Sequence, residues 1–150
     1  MPPEPTGTGA TTRAATGADG APGRTPFQYA VVRVVPRVER GERVNVGVVL
    51  LCRPRRFLGA RFALGERQLA ALEALDPGLD LDALRAHLDA LERIAAGSEG
   101  AGPIAALSQA ERFHWLVAPS STIIEAADQH TGLTEDPAAT LDRLFATLVA

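Results

Sequence analysis

The 150-residue chain contains no lysine; all 15 of its basic residues are Arg, set against 18 Asp and Glu. That bias is what a GC-rich coding sequence produces and by itself points to no ligand. Cysteine is almost as scarce. Cys52 is the only thiol, so no intrachain disulfide can form and thiolates alone cannot build a zinc site, which makes a reducing cytoplasm the expected location. No apolar run approaches the roughly 20 residues that span a bilayer. The N-terminus also lacks the apolar stretch of a secretory signal, so no membrane association is expected. Also missing are a phosphate-binding glycine loop, a nucleophile-elbow sequence around any serine, and a compact zinc or metalloprotease motif. The sequence therefore implies no cofactor and no metal. It leaves the question of an enzyme open, tilted toward a protein without one.

Aromatic residues are absent from Met1 to Pro26, which holds six Thr, five Gly, five Ala and five Pro. Such a segment cannot bury enough apolar surface to offset its ordering entropy and is expected to be a disordered tail. Residues 27–150 are expected to form one α+β domain: an antiparallel sheet of three or four strands, meander first, with helices packed on one face. Phe27 to Val35 is rich in aromatic and β-branched residues and stops at Pro36, which predicts a strand. Val44 to Cys52 and Phe57 to Ala63 predict two more, and Thr122 to Glu125 a fourth. Leu69, Leu72 and Leu75 repeat at helical spacing, as do Leu84, Leu88 and Leu91 after the capping Asp80. Ser108 and Glu111 fit a capping box opening a short helix, with Trp115 expected in the core. Asp136-Pro137 opens a last helix that carries Leu141, Leu144, Phe145 and Leu148. His130-Thr131-Gly132 reads as a turn.

Charge divides the chain. Phe27 to Arg67 carries nine Arg and three acids, whereas Gln68 to Ala150 carries four Arg and thirteen acids. An anionic partner for the basic half is one explanation, and mutual neutralisation of the two halves is the other. Pairing Val34 with Val44 places Ala30, Val32 and Val34 on one face with Val46, Val48 and Leu50, joined by Leu58, Ala60 and Phe62. The opposite face then collects Arg33, Arg43, Asn45 and Arg61 around the bare backbone of Gly47, with Tyr29, Val49, Leu51 and Phe57 toward its far end. Guanidinium groups beside open backbone suit phosphate or carboxylate. The alternative is that they pair with acids such as Glu125 or Asp128. The apolar far end calls for cover, by the C-terminal segment or by a partner.

The other reactive groups lie between Arg112 and Asp136, with His114, Ser121 and His130 the secondary candidates. No spacing among them specifies a triad or a metal site. Nucleic-acid binding could use the Arg run, with Tyr29 and Phe57 as stacking aromatics, but a pI near 5.6 and an acidic second half stand against it.

Two blocks carry a resemblance. Tyr29-Ala30-Val31-Val32-Arg33-Val34-Val35-Pro36, followed by Arg40-Gly41-Glu42 and Val44-Asn45-Val46-Gly47-Val48-Val49-Leu50, resembles the opening of the bacterial domain of unknown function 3037 family. Arg112-Phe113-His114-Trp115-Leu116-Val117-Ala118-Pro119, His130-Thr131-Gly132 and Asp136-Pro137 resemble its C-terminal pattern. The chain departs from that pattern at Ser120, where an Arg is expected, and at Glu125, where an amide is common. The resemblance implies no catalytic residues. It does imply a genomic association with kinases similar to HipA, and hence a regulatory or accessory role. The expected function is thus a binding or regulatory module that engages a protein partner, such as a HipA-like kinase, through an Arg-bearing sheet face. The alternatives are an enzyme acting on a phosphorylated or nucleotide substrate with the Arg residues as clamp, and a nucleic-acid-binding module. A small anionic ligand is compatible with the first two.

Overall fold

The computed structural model describes residues 23–118 and 123–150. The expected tail up to residue 22 lies outside the described residues, as does the 119–122 link with Ser120 and Ser121. Three strands come first: β1 (Thr25–Val34), β2 (Val44–Cys52) and β3 (Phe57–Phe62), paired as an antiparallel meander. β1 starts two residues before Phe27, because Thr25 and Pro26 pair with Thr134 and Leu133. Helices α1 (Glu66–Leu75), α2 (Leu81–Ala96) and α3 (Gln109–Leu116) follow. Then come β4 (Ile124–Ala126), β5 (His130–Thr134) and α4 (Pro137–Leu148). The fold is α+β.

Local chemistry accounts for the helix ends. Asp80 accepts a hydrogen bond from the Ala83 N–H, and Gly97 closes α2 in the left-handed region at φ 67°. Arg112 reaches back to the carbonyls of Leu107 and Ala95, which ties the start of α3 to the end of α2. Ser108 and Glu111 form the expected capping box, and Asp136 caps α4 with Pro137 at its first position.

Among the described residues the sheet has five strands in place of three or four. Both β4 and β5 pair with β1, β4 along its second half and β5 along its first. His130-Thr131-Gly132 is accordingly strand and not turn. Gly132 sits opposite Phe27, and a Cβ there would come within 2.7 Å of the Phe27 ring, so the aromatic takes the space that glycine leaves.

Helices also cover both faces, which corrects the one-sided expectation. A β-bulge decides which residues face which layer. Arg33 faces Asn45 as expected, but Val32 faces Gly47, so Val46 is an extra residue in β2. Beyond the bulge the parity of β2 reverses. Val46, Val49 and Leu51 join Ala30, Val32 and Val34 under α1–α3, with Leu58, Ala60 and Phe62 beside them. Val48, Leu50 and Cys52 point the other way and pack with Phe27 against Leu141, Phe145 and Val149 from the C-terminal region. Every β2 residue from Val46 to Cys52 is buried.

Trp115 is 44% exposed, so it is not the core anchor the sequence suggested. Phe113 is fully buried in its stead. Two residues along a helix amount to roughly 200° of rotation, so the two rings cannot share a face. Among the described residues no helix is long and apolar enough to cross a membrane.

Candidate functional site

The outer face, opposite α1–α3, carries the Arg side chains, and α4 divides it. That helix lies across β2 and β3 and recruits several of the candidate residues to hold it. Arg61 donates to Asp142 Oδ1 at 2.8 Å and stacks 4.3 Å from the centre of the Phe145 ring. Asn45 Nδ2 donates to the Leu148 carbonyl at 3.0 Å. Phe57 is half-buried against the Leu141 and Phe145 cluster. Gly47 is buried, and a Cβ on it would overlap the Phe62 ring across the β2–β3 pair. Its backbone is therefore not the open surface that the sequence suggested. The C-terminal segment supplies the cover that the apolar end of this face required.

The β1 side of the same face stays partly open. Tyr29 stacks on Phe27 at a centroid distance of 6.0 Å and lies 5.4 Å from the His130 ring, its cross-strand neighbour. Val31, two residues on, is half-buried and belongs to neither core cluster. Arg33 follows, its Nε 2.8 Å from Glu125 Oε2 on β4, with both side chains about a quarter exposed (26% and 25%). Arg43 brings its Nε to 3.5 Å from the same oxygen. Two guanidinium groups thus share one carboxylate. Of the predicted residues, the structure brings Tyr29, Arg33, Arg43 and His130 to this side of the face and assigns Asn45, Phe57 and Arg61 to the seating of α4. Sequence reasoning missed Val31 as a candidate, whereas it did offer Glu125 as an acid that could pair with these Arg, and Glu125 holds both Arg33 and Arg43. The signal for Glu125 was its acidic side chain inside an otherwise apolar β4.

The remaining candidates do not assemble. His114 is exposed on α3, its ring edge-on to Phe113 at 5.9 Å. His130 contacts Tyr29 on the opposite face of the sheet, so the two imidazoles cannot act on one substrate as an acid–base pair. Ser121 lies outside the described residues. Among the described residues no group of three or more His, Cys, Asp or Glu is placed to hold a metal ion. In the β1–β2 hairpin, Arg40 donates twice to Glu42, and its hydrogen bonding holds the Glu42 carboxyl below the usual carboxylate range.

The model of the family described as "Protein of unknown function (DUF3037)" matches residues 29–149. The chain belongs to that family. The matched span begins at Tyr29 in β1 and ends one residue past α4, so the family pattern takes in the meander, the helices and both edge strands. No curated protein and no solved structure matches the chain.

Proposed function

We propose that this domain is a non-enzymatic binding module that holds a protein partner on the β1 side of its outer sheet face. The observation that supports the reading is the strip Tyr29–Val31–Arg33, which combines an aromatic ring, a half-buried aliphatic side chain outside both core clusters and a charged group on adjacent outward positions of one strand. Tyr and Arg are the residues that dominate binding energy at protein interfaces, and an apolar position beside them supplies the part that excludes water. His130 and Glu125 flank the strip and give it polar edges. Arg43 lies at its hairpin end. The partner we assign is a HipA-like kinase, on the strength of the association that the family resemblance implies.

Binding between the purified chain and a HipA-like kinase from the same genome tests both parts. Tyr29→Ala is expected to weaken it by about 2 kcal/mol, roughly thirtyfold. Val31→Arg should do the same, with Val31→Thr intermediate and circular dichroism showing that each variant is folded. Wild-type chain that does not bind the kinase would remove that partner. Binding that survives both Tyr29→Ala and Val31→Arg would remove this face.

A further inference from the structure

The turn between β2 and β3 reads Arg53-Pro54-Arg55-Arg56, and Arg24 stands at the entry of β1 beside it. All four Arg are exposed. Arg55 donates to the carbonyls of Gly23 and Glu135, so it pins the entry of β1 and the exit of β5 to the turn. Arg24, Arg53 and Arg56 have no ion pair and no side-chain hydrogen bond among the described residues. Glu111 and Asp136, acids of neighbouring segments, are engaged in helix caps, which leaves the Glu135 carboxylate against these three guanidinium groups. The turn is closed by the Arg56 N–H on the Arg53 carbonyl at 3.0 Å, and Arg56 takes a φ of 52°. Glycine reaches that region without strain, whereas a residue with a β-carbon is held there at a cost to the fold. Strain of this kind gathers where a side chain is kept for contact.

Beside the turn, Pro26, Leu51, Pro54 and Thr131 line an open cleft of about 360 Å³, with Arg53 on its wall. Gln28, also in the lining, pairs with Leu51 on one side and Thr131 on the other, so the cleft lies on the three-helix face, opposite the Tyr29–Val31–Arg33 strip. Thr131 belongs to β5, which has no strand partner but β1 among the described residues and so presents an open edge. Leu133, on the same face of β5, is 55% exposed. The cleft has room for roughly one or two large side chains, at the lower limit for a small-molecule pocket. A ligand confined to it would meet Arg53 and neither Arg24 nor Arg56. Single-stranded nucleic acid would need an exposed ring to stack on, and the aromatic of the lining, Phe27, is buried. An extended acidic segment of a protein meets every feature: carboxylates on the free guanidinium groups, an apolar side chain in the cleft, main chain along the β5 edge.

We infer that this end of the sheet docks an acidic peptide segment that carries an apolar anchor. The site does not rest on the partner strip. Fluorescence anisotropy of the full chain tests it with three labelled probes at matched ionic strength: a peptide with one Leu flanked by Glu on both sides, the same peptide with Ser for Leu, and an oligothymidylate. The Leu peptide is expected to saturate, with the Ser peptide about tenfold weaker. Arg53→Gln and Arg56→Gly should each weaken the Leu peptide by about tenfold. Arg56→Gly should do so with Tm unchanged or raised, because glycine relieves the backbone, and this separates a lost contact from a lost fold. Arg85→Gln, on the exposed surface of α2, should leave the affinity unchanged. Failure of the Leu peptide to saturate at millimolar concentration would overturn the inference, as would equal binding of the two peptides or binding of the oligothymidylate as tight as that of the Leu peptide. An equal loss in Arg85→Gln would overturn it too, since it would reduce the effect to general surface charge.

Discussion

Gly47 and Phe62 face each other across β2 and β3, and the ring occupies the place where a side chain on Gly47 would go. A methyl group there must displace the ring or bend the strand. Gly47→Ala is therefore expected to destabilise the protein by about 1–3 kcal/mol in urea unfolding, as overpacking of a filled core does. Because the two sites touch, Phe62→Leu should recover part of that loss, and the double variant should fall short of additivity. A cost near zero would mean that the ring does not rest on Gly47. At this scale the sequence was a mixed guide. The parity that sends Arg33 and Arg61 outward follows from simple alternation, and so does the inward set of Leu58, Ala60 and Phe62. What alternation cannot reveal is the partner of an outward Arg. Charge balance did suggest Glu125, 92 residues from the Arg33 it holds, but Asp142, 81 residues from Arg61, is linked to it by no local pattern.

The helices were legible almost to the residue because their ends are written in capping chemistry, which acts over three or four positions. α3 shows what such a cap contributes. The Ser108 hydroxyl donates to Glu111 Oε1 at 2.9 Å and the Ser108 backbone N–H does so at 3.2 Å. Those bonds, the hydroxyl first, hold the Glu111 carboxyl below the usual carboxylate range. A group whose folded pKa is lowered adds stability above its unfolded value, and that contribution disappears as pH falls through the folded value. The gap in Tm between wild type and Glu111→Gln is therefore expected to be widest near neutrality and to close below about pH 4. Thermal melts across that range check it, and a gap that does not change with pH would contradict it. β4 and β5 were harder to read. Their partner is β1, about a hundred residues earlier, and β5 contains a glycine whose space is filled only by the distant Phe27 ring.

Among the described residues the sheet lies between two unequal helical layers, and α4 alone forms the thinner one. Phe145 is its central contact, buried against Val48 and Leu50 and stacked under Arg61. Phe145→Ala should cost about 3–5 kcal/mol in urea unfolding, the range for a large core ring. A loss below about 1 kcal/mol would mean that α4 is not integral to the core. The sequence did contain a signal for this second layer. Val46-Gly47-Val48-Val49-Leu50-Leu51-Cys52 has no polar residue in seven positions, which is how a strand covered on both sides reads. Reading the run as alternating instead left Val49 and Leu51 on the outer face, because an unseen bulge moves every later residue across.

That one inserted residue also decides how the chain can vary in length. Pairing Val46 with Val32, without the bulge, would hand Val48, Leu50 and Cys52 to the three-helix side and turn Val49 and Leu51 toward α4, whereas deleting Val46 leaves every other pair and every face as it is. The loop between β1 and β2 has no such constraint, since its residues from Arg37 to Gly41 are exposed. Gains and losses of residues are thus tolerable in the hairpin tip, whereas a single loss between Gly47 and Cys52 would move the rest of the strand across the sheet.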